Sequence, residues 1–448
     1  ATSQGWFTPT DLPDSGSSLS ADEQFRFRRW NCAALGAGPE NDFRNEPHTF
    51  GYNVEIDPLD PSSVPVKRTA LGRRANEGCW SSIPVAGQPL AFYIGCDSRN
   101  EYIYKFVTSA AWDPADIGRG LAAGDKYLNE GKLYAAKFNS DGTGEWLELT
   151  IADPRIANYS SNGFTFASQA DVYVFSRLAA DAVGATPMDR PEWGAVNPSN
   201  GEVYFTLTNN NASNRSPDRT DAANPRSYAD PAGRRGTGNP YGHIIRFKEN
   251  GSFATGTMAA ATRFQWDIFL FGAEADAGSQ VNVSGLSPRN SFASPDGLWF
   301  SKASGILWIE TDDGSMTDKT NNQLLAAIPG QVGDGGRLTI YNSLNNVERA
   351  QTTFVGGLLG EGRLRRFLVG VPGSEITGIT ETADGRTLYV NIQHPGENTR
   401  AKGASSDWTF ESNWPANGGG LSSAHGTGSR PRSATLVITK DDGGVVGR

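Results

Sequence analysis

An arginine and a carboxylate separated by one proline are the residues of this chain best suited to phosphate chemistry. They are Arg190 and Glu192, in the run Asp189-Arg190-Pro191-Glu192-Trp193. An arginine presents a planar fork of donors that matches a phosphate group, and a nearby carboxylate can hold a hard cation against the same anion. A surface ion pair at a strand edge has the same sequence pattern. The functional interpretation therefore depends on acidic residues elsewhere in the chain.

Further acidic residues lie in short segments that read as turns. The main candidates are Glu77, Asp97, Glu101, Asp296 and Glu375, in the runs GRRANEGCW (72–80), GCDSRNE (95–101), FASPDGLWF (292–300) and GSEITG (373–378). Two further runs of this kind are WIETDD (308–313) and NIQHPGE (391–397). If the fold gathers these carboxylates, the resulting oxygen-rich site suits calcium or ferric iron better than zinc. Ordinary turn formation explains each acidic residue taken alone, because Asp stabilises turns.

The sequence contains no motif for a zinc site, a redox-active cysteine pair, a phosphate loop or a serine nucleophile. The four histidines show no zinc-ligand spacing, and Cys32, Cys79 and Cys96 form no C-x-x-C pair. We expect Cys79 and Cys96 to be small buried residues rather than ligands. A lone histidine before a proline, as at His394, is more typical of a hydrogen-bonded turn than of a catalytic base. Phosphate-loop, G-x-S-x-G and D-x-D-x-D-G motifs are absent from the sequence.

Charge and hydropathy limit the partners of the protein. The net charge of −9 argues against a nucleic-acid-binding surface, because it could not neutralise a phosphate backbone over a long footprint. Bound cations can still reverse the sign of the field inside a phosphate site. No apolar run is long enough to span a membrane, and the first residues, from Ala1, show no signal peptide. Such a start is typical of a processed or truncated product as well as of a cytosolic protein.

Short aromatic-rich strands, separated by turns, recur along the chain. Hydrophobic residues make up 37% of the sequence and glycines number 53, which favours a packed fold of many strands. The strand-like segments are 50–58, 90–107, 132–138, 145–149, 243–247, 297–300, 305–310 and 386–393. Repeats of strands and turns at irregular spacing indicate an all-β fold, most simply a β-propeller, with a pair of sandwiches as the alternative.

The remaining segments read as loops and short helices inserted in one domain over residues 1–448. Two polar segments, 209–239 and 405–431, are predicted to be long loops. The first is either a mobile surface loop or a loop wrapped around ions. The predicted helices are short and cover 154–157, 168–182 and 321–327.

In these runs the chain closely resembles the PhoX-type bacterial alkaline phosphatases. The matching runs are NEPHTFGYNVEIDP (45–58), KRTALGRRANEG (67–78), DSRNEYIYKFV (97–107), ATPMDRPEW (185–193), VYFTLTNN (203–210), FASPDGLWF (292–300), EITG (375–378), DGRTLYVNIQHPGE (384–397) and ATLVITKDDGG (434–444). They occur in order across nearly the whole chain. An upstream family pattern, N-C-A-G-G followed by T-P-W-G-T, is not continued after Asn31-Cys32-Ala33. The resemblance therefore covers the later two-thirds or more of the family's length.

The resemblance implies a six-bladed propeller that hydrolyses phosphate monoesters in phosphate scavenging. It implies an iron pair (Fe³⁺) and calcium ions in the central channel, and small phosphomonoesters as substrates. It also implies a monomer exported in the folded state by the twin-arginine (Tat) route, hence a periplasmic or secreted protein that neither binds nucleic acid nor spans a membrane. Two alternatives are a calcium-dependent phosphodiesterase or lactonase on the same scaffold, and a non-catalytic calcium-binding propeller.

The resemblance also assigns roles to individual residues. Arg190 and Glu192 match the residues that grip the substrate phosphate and calcium, which makes both of them catalytic candidates. The implied metal ligands are Glu77, Asp97, Glu101, Glu192, Asp296 and Glu375. Asn209, at the end of a predicted strand, is implied in substrate binding. Two positions depart from the family pattern, because Cys96 replaces an aspartate and Asn76 stands where a histidine is common.

Overall fold

The computed structural model of the protein describes residues 36–42, 44–230, 236–399, 411–415 and 431–448. Strands account for 39% and helices for 12%, so the structure is nearly all β. The chain divides into two compact units. Unit 1 comprises the described residues of Ala1–Lys137, Glu145–Pro187 and Ala254–Thr262, and unit 2 those of Phe138–Gly144, Met188–Phe253 and Arg263–Arg448. The assignment of residues 1–448 to a single domain stays a prediction.

The strands are short and mostly antiparallel. In chain order they are β1 (Val54–Glu55), β2 (Val66–Lys67), β3 (Asn76–Ser81), β4 (Pro89–Cys96), β5 (Arg99–Glu101), β6 (Ile103–Ala111), β7 (Gly131–Phe138), β8 (Thr143–Glu148), β9 (Ser160–Ser161), β10 (Phe164–Thr165), β11 (Met188–Asp189), β12 (Pro191–Val196), β13 (Val203–Leu207), β14 (Asn210–Asn211), β15 (Tyr228–Ala229), β16 (Thr237–Asn239), β17 (His243–Glu249), β18 (Arg263–Phe271), β19 (Pro295–Phe300), β20 (Leu307–Thr311), β21 (Gln323–Ala327), β22 (Gly336–Leu344), β23 (Val347–Val355), β24 (Leu364–Val369), β25 (Glu375–Glu381), β26 (Thr387–Gln393) and β27 (Ala434–Thr439).

The helices are few and short. The α-helices are α1 (Leu121–Leu128), α2 (Pro154–Ala157), α3 (Gln169–Val174), α4 (Ser176–Val183) and α5 (Gly360–Arg363). Single 3₁₀ turns cover Pro39–Asn41, Glu46–Thr49, Thr69–Leu71, Pro114–Asp116 and Pro217–Arg219. Within the described ranges, no helix is both long enough and apolar enough to cross a bilayer.

Unit 1 is built on the antiparallel order β3-β4-β6-β7. Its core packs sheet residues such as Ile94 and Phe106 against Val172 and Ala179 of the helices. The segment predicted as one helix over 168–182 forms α3 and α4, which are separated at Phe175. The Phe175 ring packs edge-on against Phe164 at 4.6 Å between centroids. The backbone of Phe175 lies outside the helical region, so α3 ends before it, and the packing of its ring is compatible with this conformation.

Unit 2 contains antiparallel runs in which neighbouring strands come in chain order, with other elements inserted between some of them. Its described strands include runs in the orders β12-β13-β17-β18, β19-β20-β21-β24 and β25-β26-β27. A four-stranded antiparallel meander is the unit of a propeller blade. The residues of β13 are all buried, whereas β26 buries Leu388, Val390 and Ile392 in alternation. Burial on both faces or on one face explains the two sequence patterns.

The predicted helix over 321–327 is wrong, because this segment contains strand β21. Leu324 and Leu325 are both fully buried, and β21 pairs with β20 on one side and with β24 on the other. Leu and Ala favour helices locally, but intrinsic propensities differ by only about a few tenths of a kcal/mol per residue. Pairing in the interior of a sheet outweighs such a preference. Conversely, helix α1 forms in a segment for which the sequence pattern predicted no helix.

The segment 209–239 was predicted to be a long loop and contains ordered structure. Strands β14, β16 and β15 form a small antiparallel sheet in it. Several of its polar residues are buried, among them Arg215 and Arg226. The other predicted loop, 405–431, lies outside the described residues except for 411–415 and Pro431.

Candidate active site

Three carboxylates from different parts of unit 2 meet at one end of its sheets. Asp296 lies in β19, Asp312 follows β20 directly, and Glu375 is the first residue of β25. Each offers a carboxylate oxygen, and these oxygens all lie within 4.8 Å of one another. Asp296 and Glu375 are buried. Three like charges at this separation repel one another, so a positively charged group is expected among them.

A β-bulge lies at the acidic residue of β12 and at that of β19. The pairing of β12 with β13 shifts by one residue between Pro191 and Gly194, across Glu192, and that of β19 with β20 shifts between Pro295 and Leu298, across Asp296. An extra residue in one strand bends it and redirects a side chain, and such bulges are frequent beside active sites. The carbonyl of Asp296 also accepts a hydrogen bond from Thr206 Oγ1 at 2.7 Å. The bulge at Asp296 is therefore held by the neighbouring sheet.

Arg190 and Glu192 form an ion pair beside these bulges. Arg190 Nη2 lies 2.8 Å from Glu192 Oε1, and the two side chains are 20% and 4% exposed. The pair is thus mostly withdrawn from water while the arginine keeps some access to it. A partly buried guanidinium in this position can bind an anion such as phosphate.

Among the described residues of unit 2, three have a left-handed backbone directly before a proline. They are Arg190, Ser294 and His394, with φ of 59°, 46° and 35°. A residue before proline avoids helical conformations, and a side chain disfavours positive φ, so each position carries strain. Strained residues of this kind cluster at functional sites, where the surrounding structure enforces them. Arg190 and Ser294 lie two residues before Glu192 and Asp296, and His394 contacts Glu375.

His394 contacts the carboxylate of Glu375. Its Nε2 lies 3.3 Å from Glu375 Oε2, and its Nδ1 lies 3.3 Å from the carbonyl oxygen of Gly373. Gln393 Nε2 donates to the same Glu375 oxygen at 2.6 Å. The two neighbours from the end of β26 therefore fix the orientation of Glu375.

The electrostatics of the site link the carboxylates with Arg190. Burial raises the pKa of Asp312, the charge of Asp296 raises it further, and Arg190 and His394 act in the opposite direction. These groups must therefore lie within electrostatic reach of one another. Burial, followed by the charge of Asp296, raises the pKa of Glu310 well above its ordinary value. The site concentrates more acid than its own side chains neutralise.

The other residues predicted from the sequence are distributed over both units. In unit 1, Glu77 is exposed in a bulge of β3, and Asp97 is buried between β4 and β5. Glu101 is paired with Arg177 at 2.6 Å. In unit 2, Asn209 is partly buried between β13 and β14. Unit 2 therefore brings together Arg190 with Glu192, and Asp296 with Glu375.

Two site residues were missed in the sequence analysis. Asp312 stands in WIETDD beside Asp313, and only the structure separates the two. Asp313 accepts hydrogen bonds from the backbone N–H groups of Ser315 and Met316 at 2.6 and 2.7 Å, so it stabilises the turn. Asp312 joins the carboxylates. His394 was interpreted as a turn residue, and its bond to Gly373 fits that interpretation, but it also contacts Glu375.

The cysteines also differ from the expectation. Cys96 is buried as predicted, whereas Cys79 is exposed and the prediction for it was wrong. Exposed and half-buried residues alternate along β3, which places Cys79 on the exposed face. Both thiols are free. Cys32 lies outside the described residues.

Comparisons with known proteins give the family. The family model of alkaline phosphatase PhoX matches residues 13–396. The structure is similar to that of Pseudomonas fluorescens PhoX in complex with vanadate, a transition state analogue, with a TM-score of 0.66 and 33% sequence identity. The match covers 98% of this chain and 67% of that chain. No curated protein matches the sequence significantly. The chain therefore belongs to the PhoX alkaline phosphatase family, which has a β-propeller fold and hydrolyses phosphate esters in a metal-dependent reaction.

Proposed function

We propose that this protein hydrolyses small phosphate monoesters, using ferric iron and calcium held by its carboxylates and Arg190 to bind the phosphoryl group. The observation that supports this most directly is the Asp296–Asp312–Glu375 group, together with the electrostatic influence of Arg190 on Asp312. Vanadate is bound by the similar PhoX structure as a transition state analogue. A site with an arginine and carboxylates that can hold cations is suited to a phosphoryl group.

The acidic side chains of unit 2 fit hard cations. Asp296 Oδ1 is buried and has no hydrogen-bond partner among the described residues, and the same holds for both carboxyl oxygens of Glu310. Buried carboxylates without donors are costly unless a cation balances them. Oxygen donors are the ligands of calcium and ferric iron, so we assign Asp296, Asp312 and Glu375 as the residues that would hold a cation. When bound, such cations neutralise negative charge on the phosphoryl oxygens.

Arg190 would bind the non-bridging oxygens of the phosphate and balance the charge that develops during the reaction. An arginine carries five N–H donors, so its pairing with Glu192 still allows contacts with phosphate. Glu192 orients the guanidinium and, with its other oxygen, is a further cation ligand. His394 would act indirectly, because its contact with Glu375 orients a proposed ligand.

The remaining predicted residues keep proposed roles of different strength. Glu77 and Asp97 are proposed as metal ligands and Asn209 as a substrate-binding residue. Glu101 is the least suited of the proposed ligands, because its carboxylate already pairs with Arg177. We further propose a monomer, acting on small esters rather than nucleic acid, that is exported to the periplasm or secreted by the Tat route. The net charge of −9 supports the absence of nucleic-acid binding.

Hydrolysis of para-nitrophenyl phosphate, measured with and without chelator, tests the proposal. We expect activity that chelation abolishes and that Arg190→Ala lowers strongly. Arg386→Ala is the matched control, because Arg386 is 65% exposed and only loosely paired with Asp384 at 4.0 Å. Metal analysis of the purified protein should find both iron and calcium. Calcium alone together with faster hydrolysis of bis(para-nitrophenyl) phosphate would indicate a phosphodiesterase, and a metal-free protein without activity would indicate a binding protein.

A further inference from the structure

Asp189, next to Arg190 in the chain, is fully buried and held by three side chains. Its Oδ1 accepts hydrogen bonds from Asn210 Nδ2 at 2.7 Å and Arg215 Nε at 2.8 Å. Its Oδ2 accepts one from Asn239 Nδ2 at 3.0 Å. The side chains of Asp189 and Arg215 are 0% and 4% exposed. All three donors come from the described residues of the segment 209–239, which therefore contact the carboxylate of Asp189 from both ends of the segment.

Further contacts give this network a single arrangement. Asn239 Nδ2 also lies 3.1 Å from His243 Nδ1, while His243 Nε2 lies 2.9 Å from the carbonyl oxygen of Ala223. The carbonyl can only accept, so the His243 proton is on Nε2 and Nδ1 accepts from Asn239. Asn239 Oδ1 accepts from Arg226 Nη2 at 3.0 Å. Burial lowers the pKa of His243 to about 4, which keeps the ring neutral at the pH of an alkaline phosphatase.

Arg190 needs such support because of its own backbone. Its φ of 59° lies in the left-handed region, directly before Pro191. This conformation is unfavourable for a non-glycine residue, and it persists only where the surrounding structure enforces it. Downstream, the Arg190 carbonyl accepts a hydrogen bond from the backbone N–H of Thr208 at 3.2 Å. Upstream, the fixed residue is Asp189, whose side chain is bound on both oxygens.

We propose that the buried Asp189–Arg215 pair is a positioning element of the reaction, which holds Arg190 in its strained conformation and thereby aims the guanidinium at the phosphoryl group. The inference rests on the proposed role of Arg190. It also gives a function to Asn210, Arg215 and Asn239, which come from the segment that was predicted to be a long loop. Asn210 and Asn239 belong to the same element, since they bind the remaining lone pairs of Asp189.

A purely stabilising ion pair is the competing explanation, and unit 2 contains a matched example. Arg246 Nε donates to Asp267 Oδ1 at 2.6 Å and Arg246 Nη2 to Oδ2 at 3.1 Å. These side chains are 1% and 3% exposed, which is comparable to the Asp189–Arg215 pair. They join β17 to β18, and neither residue neighbours a proposed site residue in the chain. Weakening either pair should reduce stability, whereas only weakening the Asp189–Arg215 pair should affect the reaction through Arg190.

The test is a double-mutant cycle on Arg215→Lys and Arg190→Ala, with Arg246→Lys as the control. Lysine keeps the charge of Arg215 but cannot reproduce its fork of donors. We expect Arg215→Lys and Arg246→Lys to lower the thermal midpoint of the metal-loaded protein similarly. Arg215→Lys should lower kcat/KM for para-nitrophenyl phosphate about tenfold and weaken inhibition by vanadate in parallel, which corresponds to about 1.4 kcal/mol. In the Arg190→Ala background, Arg215→Lys should have no further effect on kcat/KM.

Each outcome of the cycle decides between the explanations. An equal loss of kcat/KM in Arg215→Lys and Arg246→Lys, or an undiminished tenfold effect of Arg215→Lys in the Arg190→Ala background, overturns the inference while the role of Arg190 stands. Wild-type activity of Arg190→Ala removes the proposed role of Arg190 and the inference with it. If Arg215→Lys does not fold, Asn210→Ala replaces it, because this change removes one donor and no charge. A loss of kcat/KM of about threefold is then expected, again absent in the Arg190→Ala background.

Discussion

Replacing Arg190 separately by alanine and by glycine distinguishes what its guanidinium does from what its backbone costs. Both substitutions remove the side chain that pairs with Glu192 at 2.8 Å. They differ in the backbone, because alanine keeps a Cβ at φ 59° and glycine does not. The two variants should therefore be equally impaired in activity but unequal in stability.

The magnitudes follow from the geometry. A left-handed conformation costs a residue with a Cβ roughly 1–2 kcal/mol. Glycine avoids this cost but loses roughly 0.4–1 kcal/mol through the greater freedom of the unfolded chain. Arg190→Gly should therefore have a free energy of unfolding about 1 kcal/mol above that of Arg190→Ala. Removing one preoriented donor from a site of developing charge typically costs roughly 10²–10³ in kcat, and we expect this loss in both variants.

Steady-state hydrolysis of para-nitrophenyl phosphate gives kcat and KM, and urea denaturation of the metal-loaded variants gives the difference in unfolding free energy. Both variants should be compared with Arg386→Ala, which removes an exposed arginine elsewhere in unit 2. Turnover at the wild-type rate in either variant would falsify the role of the guanidinium. Equal stability of the two variants would limit the strain at position 190 to the roughly 0.4–1 kcal/mol that glycine loses in the unfolded chain, less than expected, whatever their activity.

Three further perturbations test the acidic groups of the site. Glu310→Gln should raise the free energy of unfolding of the chelator-treated protein at pH 8 but not at pH 4, as measured by urea denaturation. The pKa of Glu310 is raised in the folded state, so its contribution to stability is complete below the unfolded pKa and is lost as the pH rises through the folded pKa. This loss amounts to at most about 1.4 kcal/mol per pH unit, and glutamine, which has no charge, avoids it. Asp312→Asn should lower the metal retained after dialysis, measured by elemental analysis, whereas Asp313→Asn should keep it, and equal retention in both would contradict the assignment. His394→Ala should raise the calcium concentration for half-maximal activity roughly 10- to 100-fold, because it removes the support of Glu375; an unchanged calcium titration would remove His394 from the site.

Much of the strand content could be predicted from local patterns. Strands such as β17 and β26 carry apolar residues with polar breaks at their ends, and the turn residues around them mark where they stop. The failure at β21 has a physical cause, since Leu and Ala are compatible with either structure and the neighbours β20 and β24 decide between them. Local propensity is weak compared with the pairing of a strand on both edges.

Residues of the candidate site could be named from the sequence where a residue type has few alternative explanations. Arg190 and Glu192 stand in a distinctive run, and Asp296 follows a proline in a similar context, an acidic residue after X-Pro at the start of an inner strand. Asp312 could not be chosen over Asp313, because adjacent carboxylates point in different directions and only the loop geometry assigns one to the turn. Asp189 and Arg215 could not be connected at all, because they are 26 residues apart.

The order and types of its residues determined by themselves that this chain is a strand-rich member of the PhoX family, with carboxylates suited to hard cations and an arginine suited to phosphate. Those features are local, since strand patterns, bulge-forming X-Pro steps and acidic turns act over a few neighbouring residues. The tertiary structure decided which carboxylates lie close enough to share a cation, that the backbone of Arg190 is left-handed, and that Asp189 is buried beside Arg215. Such decisions depend on contacts between residues that are distant in the chain, and on burial, which changes the energy of a charge far more than its neighbours in sequence do.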